Sequence, residues 1–384
     1  MNVLFTSLRE KSHFFPLLPF IEVVQKRGHA VAVAAPIDFA ERVAATGAQF
    51  FPFGHPGNEG LRPIWMRLRE ASPEEQKRIA FGDLFAGACA GAALPSALEM
   101  MQRWQPSIVV RESCEFAGFV AAEKLGIPHA RVAICARGAE DEIRAHTAAA
   151  VDAHRRTVGL SPDPSGDRIR REASLSLFPR SFDALQTEPA DLLRFRALRK
   201  EPPPLSNWWG ERQGPFVYVT LGTVTGGLDK LHAAYRLVLD AVADLPIRVL
   251  LTIGSDLPQE SLGKVPPNVH VERFVPQDDV ISHAAAVLCH GGSGTVVGAL
   301  AAGVPMVVVP MFADQPHNAA RVAAIGAGLA MPVQDVSANQ IGAALSRVLQ
   351  EESFRVASQR IAQEIATLPQ VDSAGVELER LARG

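Results

Sequence analysis

Short apolar runs of strand length, separated by stretches with helical spacing of apolar residues, set the rhythm of this chain. Val3–Thr6 is such a run; a polar loop follows to His13, and Pro16–Arg27 is amphipathic until Gly28-His29 ends it. Ala30–Ala35 is the next apolar run. Strand, loop, helix and strand in that order predict a βαβ unit, whose crossover forces parallel pairing with right-handed connection. A second unit is read in Ser107–Val110, Phe116–Leu125 and Pro128–Ala133. Residues 136–175 are polar and Arg-rich, and are read as helical excursions and loops rimming the first sheet.

The rhythm restarts at Phe216–Leu221. A helix over Leu231–Ala243, strands at Arg248–Ile253, Val269–Glu272 and Ala286–Cys289, a helix over Thr295–Ala302 and a strand at Met306–Val309 follow, and a charged amphipathic helix begins near Phe354. Residues 201–214, with three consecutive prolines, have the composition of a linker. The chain is therefore expected to hold two doubly wound α/β domains, 1–200 and 215–365, joined by 201–214. Residues 366–384 form a C-terminal helix free to pack back on the first domain. Ligands in such sheets bind outside the carboxyl ends of the strands, and both sets of ends are expected to face one cleft.

A length of 384 residues suits two cores of ordinary size. The net charge of −3 offers no attraction for nucleic acid or an anionic membrane, which directs attention to small-molecule partners. Cys89, Cys114, Cys135 and Cys289 lie far apart with no Cys-x-x-Cys pair, so reduced thiols in a cytoplasmic protein, monomer or homodimer, are expected. The start, Met1 to Ser7, lacks the basic and apolar regions of a signal peptide. The apolar run Ala284–Phe312 is interrupted by His290, its glycines, Pro305 and Pro310, and reads as strand, turn, helix and strand rather than a membrane span.

The first strand ends in Ser7-Leu8-Arg9-Glu10-Lys11-Ser12-His13, which contains no glycine, so a nicotinamide cofactor is not expected there. The chemistry concentrates in the second half. His290-Gly291-Gly292-Ser293-Gly294-Thr295 follows a strand directly and opens a helix. Glycines let the backbone approach an anion, the free N–H groups of the first helical turn point at it, and Ser293 and Thr295 add hydroxyl donors. Leu221-Gly222-Thr223, with Gly226-Gly227, is a second strand-end turn that offers phosphate donors. Phe274 closes a strand and Pro276 stiffens the turn after it, a place where an aromatic ring stacks on a nucleobase while the Val275 backbone reads its edge. Asp314-Gln315, past the strand Met306–Val309, places acceptors and donors where sugar hydroxyls would lie.

In that order these pieces resemble the donor-binding signature of nucleotide-sugar-dependent glycosyltransferases of the GT-B fold. The match runs through Phe274-Val275-Pro276-Gln277, His290 to Thr295, Gly303-Val304-Pro305, Pro310, Asp314-Gln315, Asn318 and Gly326-Ala327-Gly328. It is most similar to the family-1 group that decorates small lipophilic acceptors, such as bacterial macrolide and enediyne glycosyltransferases, and extends over essentially the whole chain. The resemblance implies that Phe274 flanks the base, that Thr223, His290, Gly292, Ser293, Gly294 and Thr295 hold the diphosphate, and that Asp314 and Gln315 contact the sugar. The nucleotide sugar, dTDP- or UDP-linked, is then a co-substrate and no cofactor is needed.

Ser12-His13-Phe14-Phe15-Pro16 lies where the family carries a histidine in a His-x-x-Pro context. A neutral imidazole suits the removal of the acceptor's hydroxyl proton, since its ordinary pKa is near 6.5. A carboxylate that fixes its tautomer is expected at Glu112, where many relatives carry aspartate, with Glu115 as the alternative. The eleven histidines form no tight ligand cluster and there is no Asp-x-Asp, so no metal is expected. One base and no enzymatic nucleophile predict inversion at the anomeric carbon. Apolar candidates for the acceptor pocket are Trp65, Met66, Phe81, Phe85 and Met100. Two other readings stay open: a GT-B nucleotide-sugar epimerase and a non-catalytic nucleotide-sugar-binding protein.

Overall fold

A computed structural model of the chain describes residues 1–185, 187–199, 201–222, 229–254, 257–332 and 336–384. Its contacts divide the chain into two compact units. One comprises Met1–Leu177, Gln186–Leu198 and Pro369–Gly384; the other comprises Phe178–Leu185 and Arg199–Leu368.

The first unit carries a seven-stranded sheet of β1 (Asn2–Thr6), β2 (Ala30–Pro36), β3 (Gln49–Phe53), β4 (Ile108–Glu112), β5 (His129–Val132), β6 (Ala173–Ser176) and β7 (Leu192–Arg194). All pairs are parallel and the order is β3-β2-β1-β4-β5-β6-β7. The order reverses between β1 and β4, and Thr6 stands beside Arg111 in their register. The loops leaving these two strands therefore emerge side by side, at the kind of switch point where doubly wound sheets bind ligands.

Successive residues of a strand face opposite sides of the sheet. Accordingly Val3, Phe5 and Val110 enter one apolar cluster and Leu4 and Val109 the other. The first of these clusters also takes Val371, Ala374 and Leu378, from the last turn and the helix Ala374–Leu381. Glu379 on that helix bonds Arg27 Nε and His29 Nε2, each at 2.8 Å.

The second unit carries a six-stranded parallel sheet of β8 (Phe216–Thr220), β9 (Arg248–Thr252), β10 (Val269–Glu272), β11 (Ala286–Cys289), β12 (Met306–Val308) and β13 (Gly328–Ala330), in the order β10-β9-β8-β11-β12-β13. Here the switch falls between β8 and β11, where Thr220 stands beside Cys289. The apolar run Ala284–Phe312 is strand, turn, helix and strand, as its interruptions predict.

Four strands escaped the sequence pattern. β3 contains Pro52, which removes a ladder donor and argues against a central strand, but β3 lies at the sheet edge, where proline is tolerated. β6, β7 and β13 are three or four residues long and contain no β-branched residue, so no strand-forming run marks them. Residues expected as fragmented helix form one long helix, Arg137–Thr157, which buries only a stripe that includes Ile143, Thr147 and Val151. Residues 201–214 are packed rather than free: Trp209 Nε1 donates to Val249 O at 3.2 Å and Trp208 stacks on His270 with ring centroids 5.3 Å apart.

One helical stretch among the described residues, Glu74–Trp104, is long and apolar enough to cross a membrane by length and composition. Half of its apolar window is buried, with Leu84, Ala86, Ala90 and Ala97 inside the first unit's core. Its part Arg78–Cys89 is wound as a π-helix, and it lies close against Arg137–Thr157: a Cβ on Gly82 would meet the His146 carbonyl oxygen at 2.9 Å.

Candidate active site

In the first unit the site begins where β1 ends. A short helix, Lys11–Phe14, carries His13, and the neighbouring Phe14 is fully buried with its ring edge-on to Phe39, which anchors the turn. His13 is 8% exposed. Its Nδ1 lies 3.1 Å from Glu112 Oε2, at the end of β4, and its ring meets Phe85 edge-on at 5.4 Å. Glu112 is itself fixed: Oε2 accepts the Cys114 N–H at 2.7 Å and Oε1 the Leu8 N–H at 3.4 Å. A carboxylate this close to Nδ1 favours the tautomer with its proton there and the lone pair on Nε2.

Glu115, the other candidate partner, faces elsewhere. It accepts from the Thr6 hydroxyl and from the Gly118 N–H at 3.0 Å, close to the start of the helix Ala117–Leu125, and burial raises its pKa. Arg111 does not pair with the Glu112 carboxylate. Its guanidinium turns to Glu172, with Nη2 2.6 Å from Oε2, and His129 Nδ1 reaches the same carboxylate at 2.8 Å.

Although burial opposes ionisation, the Arg111 guanidinium and His129 together hold the Glu172 carboxyl down to about 2. Its folded value lies below the unfolded one near 4.3. Glu172 therefore contributes stability that is full above that unfolded value and is lost as pH falls toward 2. Expected is a wild-type melting temperature that drops through this window. In Glu172→Gln this contribution, on the order of a few kcal/mol, disappears and the gap between the two proteins narrows as pH falls. A gap constant from pH 5 to pH 2 in thermal denaturation would contradict the assignment.

Among the described residues, one group has the composition of a metal-ligand set: His13, Glu112 and Cys114, with ligand atoms within 4.8 Å of one another. Burial and the charges of Glu112 and Glu140 raise the Cys114 thiol well above its ordinary pKa.

In the second unit the glycine-rich turn joins β11 to the helix Ser293–Ala302. The turn is stitched to the segment after β12: Ser293 Oγ donates to Asp314 Oδ2 at 2.6 Å, and Asn318 Nδ2 donates to Gly291 O at 2.9 Å and Asp314 Oδ2 at 2.8 Å. Gly291 has φ +89°, and a Cβ there would meet Val308 Cγ1 at 2.7 Å, so only glycine fits.

The His290 ring lies between two glycines. A Cβ on Gly222 would come within 2.7 Å of His290 Nε2, and one on Gly292 within 2.5 Å. Burial lowers the imidazole pKa to about 4, against the opposing effect of Asp314, so the ring is neutral near pH 7. Thr295 is buried in the first turn, and Gly294 is exposed with open space where a Cβ would stand.

Phe274, expected beside a base, is 65% exposed just past β10, and Val275 is half-buried. Gln315 is buried, and its side-chain oxygen accepts the N–H groups of Met311 at 2.9 Å and Phe312 at 3.1 Å. Thr223 lies outside the described residues. Sequence reasoning did not assign roles to Asn318 or Glu172. For Asn318 a signal was present, since it stands one helical turn beyond Asp314. For Glu172, in a polar stretch without visible periodicity, there was none.

Residues 236–381 match the family described as erythromycin biosynthesis protein CIII-like, C-terminal domain. The chain is 30% identical to the L-demethylnoviosyl transferase of Streptomyces niveus over 96% of its own length and 95% of the relative's. It belongs to the natural-product glycosyltransferases of the GT-B fold. Solved structures agree over the whole chain. The glycosyltransferase SnogD from Streptomyces nogalater is 26% identical with a TM-score of 0.76, covering 100% of this chain and 99% of that one. The glycosyltransferase VinC in complex with dTDP is 26% identical with a TM-score of 0.78, covering 100% of both. A glycosyltransferase takes two substrates, a sugar donor and an acceptor; among the described residues the first unit sets His13 beside Glu112, and the second ties the turn 290–295 to Asp314 and Asn318.

Proposed function

We propose that this glycosyltransferase moves a sugar from a nucleoside diphosphate, dTDP ahead of UDP, to a hydroxyl of a lipophilic small-molecule acceptor, with inversion and without a metal ion. The observation that carries the reading is the His13–Glu112 contact: a carboxylate beside Nδ1 favours the lone pair on Nε2 and stabilises the imidazolium that forms when Nε2 takes a proton. His13 Nε2 accepts the acceptor's hydroxyl proton as that oxygen bonds to the anomeric carbon. The bond from that carbon to the diphosphate oxygen breaks, and the leaving group departs with the bonding pair.

The N–H groups opening the helix Ser293–Ala302 and the hydroxyl of Thr295 face the developing charge, Ser293 gives its proton to Asp314 and so fixes the turn, and neutral His290 supplies a hydrogen bond rather than a charge. Asp314 binds the sugar with the oxygen not held by Ser293 and Asn318, and Gln315 with its amide nitrogen. Phe274 stacks on the base beside the Val275 backbone. Phe85, against the His13 ring, and half-exposed Trp65 begin the apolar acceptor surface. Preference for dTDP is supported by VinC, which was solved with that nucleotide.

The test is a transfer assay with dTDP- and UDP-sugars in the presence of EDTA. Expected are a product of opposite anomeric configuration by NMR, a rate unchanged by the chelator, and greater thermal stabilisation by dTDP than by UDP. Retained configuration sinks the single-displacement mechanism, and a chelator-sensitive rate sinks metal independence. A free epimer formed without acceptor would replace the reading with an epimerase.

A further inference from the structure

We infer that Arg111 and Glu172 are positioning residues for the base: together they hold the turn after β4 in the shape that aims the Glu112 carboxylate at His13. The inference rests on the reading of His13 as the base.

Arg111 is fully buried, and the pattern of its donors is specific. Nε and Nη2 grip Glu172, at 3.0–3.1 Å and 2.6 Å. Nη1 instead meets three main-chain carbonyls of the turn, those of Glu112 at 3.1 Å, Ser113 at 3.0 Å and Glu115 at 3.1 Å. The guanidinium is closed in by Phe116 and Phe119, with ring centroids 5.1 and 5.3 Å away. Glu172 stands immediately before β6 and also takes His129 Nδ1 from the start of β5, so the cluster ties the turn to two further strands.

Stability alone does not account for such a pair. Burying two charges costs more than their attraction commonly returns, and apolar residues of the same size often stabilise a fold better. What the pair supplies is geometry. Three carbonyls of the turn, those of residues 112, 113 and 115, share the two N–H groups of Nη1 while Nε and Nη2 hold Glu172; a fixed planar fork spans both sets at once and a single ammonium on a flexible stem does not. Inside the same turn the Cys114 N–H donates to Glu112 Oε2, the oxygen that meets His13 Nδ1. Releasing the three carbonyls lets this N–H turn and carries the carboxylate away from the imidazole.

Arg111→Met alone would strand the Glu172 charge in the interior, so the deciding variant is Arg111→Met with Glu172→Gln, which removes both charges and keeps the volume. The measurements are kcat, acceptor KM, nucleoside diphosphate Kd and melting temperature. Expected are a melting temperature within a few degrees of wild type, unchanged Kd, and kcat lower by roughly 10-fold or more, as for a misplaced catalytic group. In a Glu112→Ala background the same double change is expected to have no further effect on kcat, because both act on one carboxylate. Wild-type kcat in the folded variant, or an equal loss in the Glu112→Ala background, overturns the inference. If the double variant does not fold, Arg111→Lys, which keeps a cation beside Glu172 but cannot span the carbonyls, is judged by the same measurements. His13→Ala separates the two levels. If it retains kcat, the base reading fails; if it is inactive while the double variant is not, only the positioning role fails.

Discussion

His13→Ala is expected to lower kcat by roughly 10²-fold or more and to leave nucleoside diphosphate affinity near the wild-type value. The two halves of this expectation have separate physical origins. Proton removal belongs to the chemical step, so losing the base affects the rate at which a bound acceptor reacts. The turn proposed to hold the diphosphate belongs to the other unit, between β11 and the helix Ser293–Ala302. Glu112→Gln is expected to lower kcat by less, since an amide still touches Nδ1 but no longer stabilises the imidazolium. Single-turnover rates and calorimetry with nucleoside diphosphate alone measure the two quantities independently. A loss of affinity matching the loss of rate would make His13 a structural residue.

Gly292→Ala is expected to weaken nucleoside diphosphate binding by roughly tenfold or more, about 1.4 kcal/mol, in a protein that still folds. Gly292 has φ −61° and ψ 139°, a conformation open to any residue, so the backbone accepts the methyl group. The obstacle is the His290 ring, which would lie 2.5 Å from the new Cβ at Nε2 and 2.9 Å at Cε1. The imidazole cannot retreat easily, because Gly222 borders it as well, with its own Cβ position 2.7 Å from Nε2. Gly222→Ala would mix this effect with the strain of φ +90°, which makes Gly292 the cleaner site. Calorimetry of His290→Ala and of the His290→Ala, Gly292→Ala pair completes the test. Once the ring is gone, the added methyl group is expected to cost little more. Wild-type affinity in folded Gly292→Ala would show that the ring position does not matter to the nucleotide.

The glycines of this turn illustrate how far a sequence can be read. Their place after an apolar strand and before a helix is legible and suggests the proposed anion cradle, because the turn chemistry and the helix start are local properties of a few consecutive residues. Gly294 has open space at its Cβ position. Gly291 and Gly292 carry further constraints, contact with Val308 and with the His290 ring, that no local pattern expresses. Gln315 is similar. Its place after β12 was legible, but its side-chain oxygen turns inward to close residues 311–315.

The sequence by itself determined the two βαβ series, the interruption of the apolar run Ala284–Phe312 and the position of His13 just beyond a strand end. Each depends on periodicity or on turn residues within one short segment, and such signals survive whatever the rest of the chain does. Tertiary structure decided which carboxylate serves His13. Glu112 and Glu115 carry the same side chain and are nearly adjacent in sequence, yet β4 lies beside β1 in a register that sets Thr6 against Arg111. The turn then sends Glu112 to the imidazole and Glu115 to Thr6 and Gly118. Tertiary structure also drew Arg111 away from its sequence neighbour to Glu172, across β4, β5 and β6. Contacts of this kind depend on strand order and register, which follow from how whole elements pack. Neither the hydrophobic period nor the spacing of a motif carries that information.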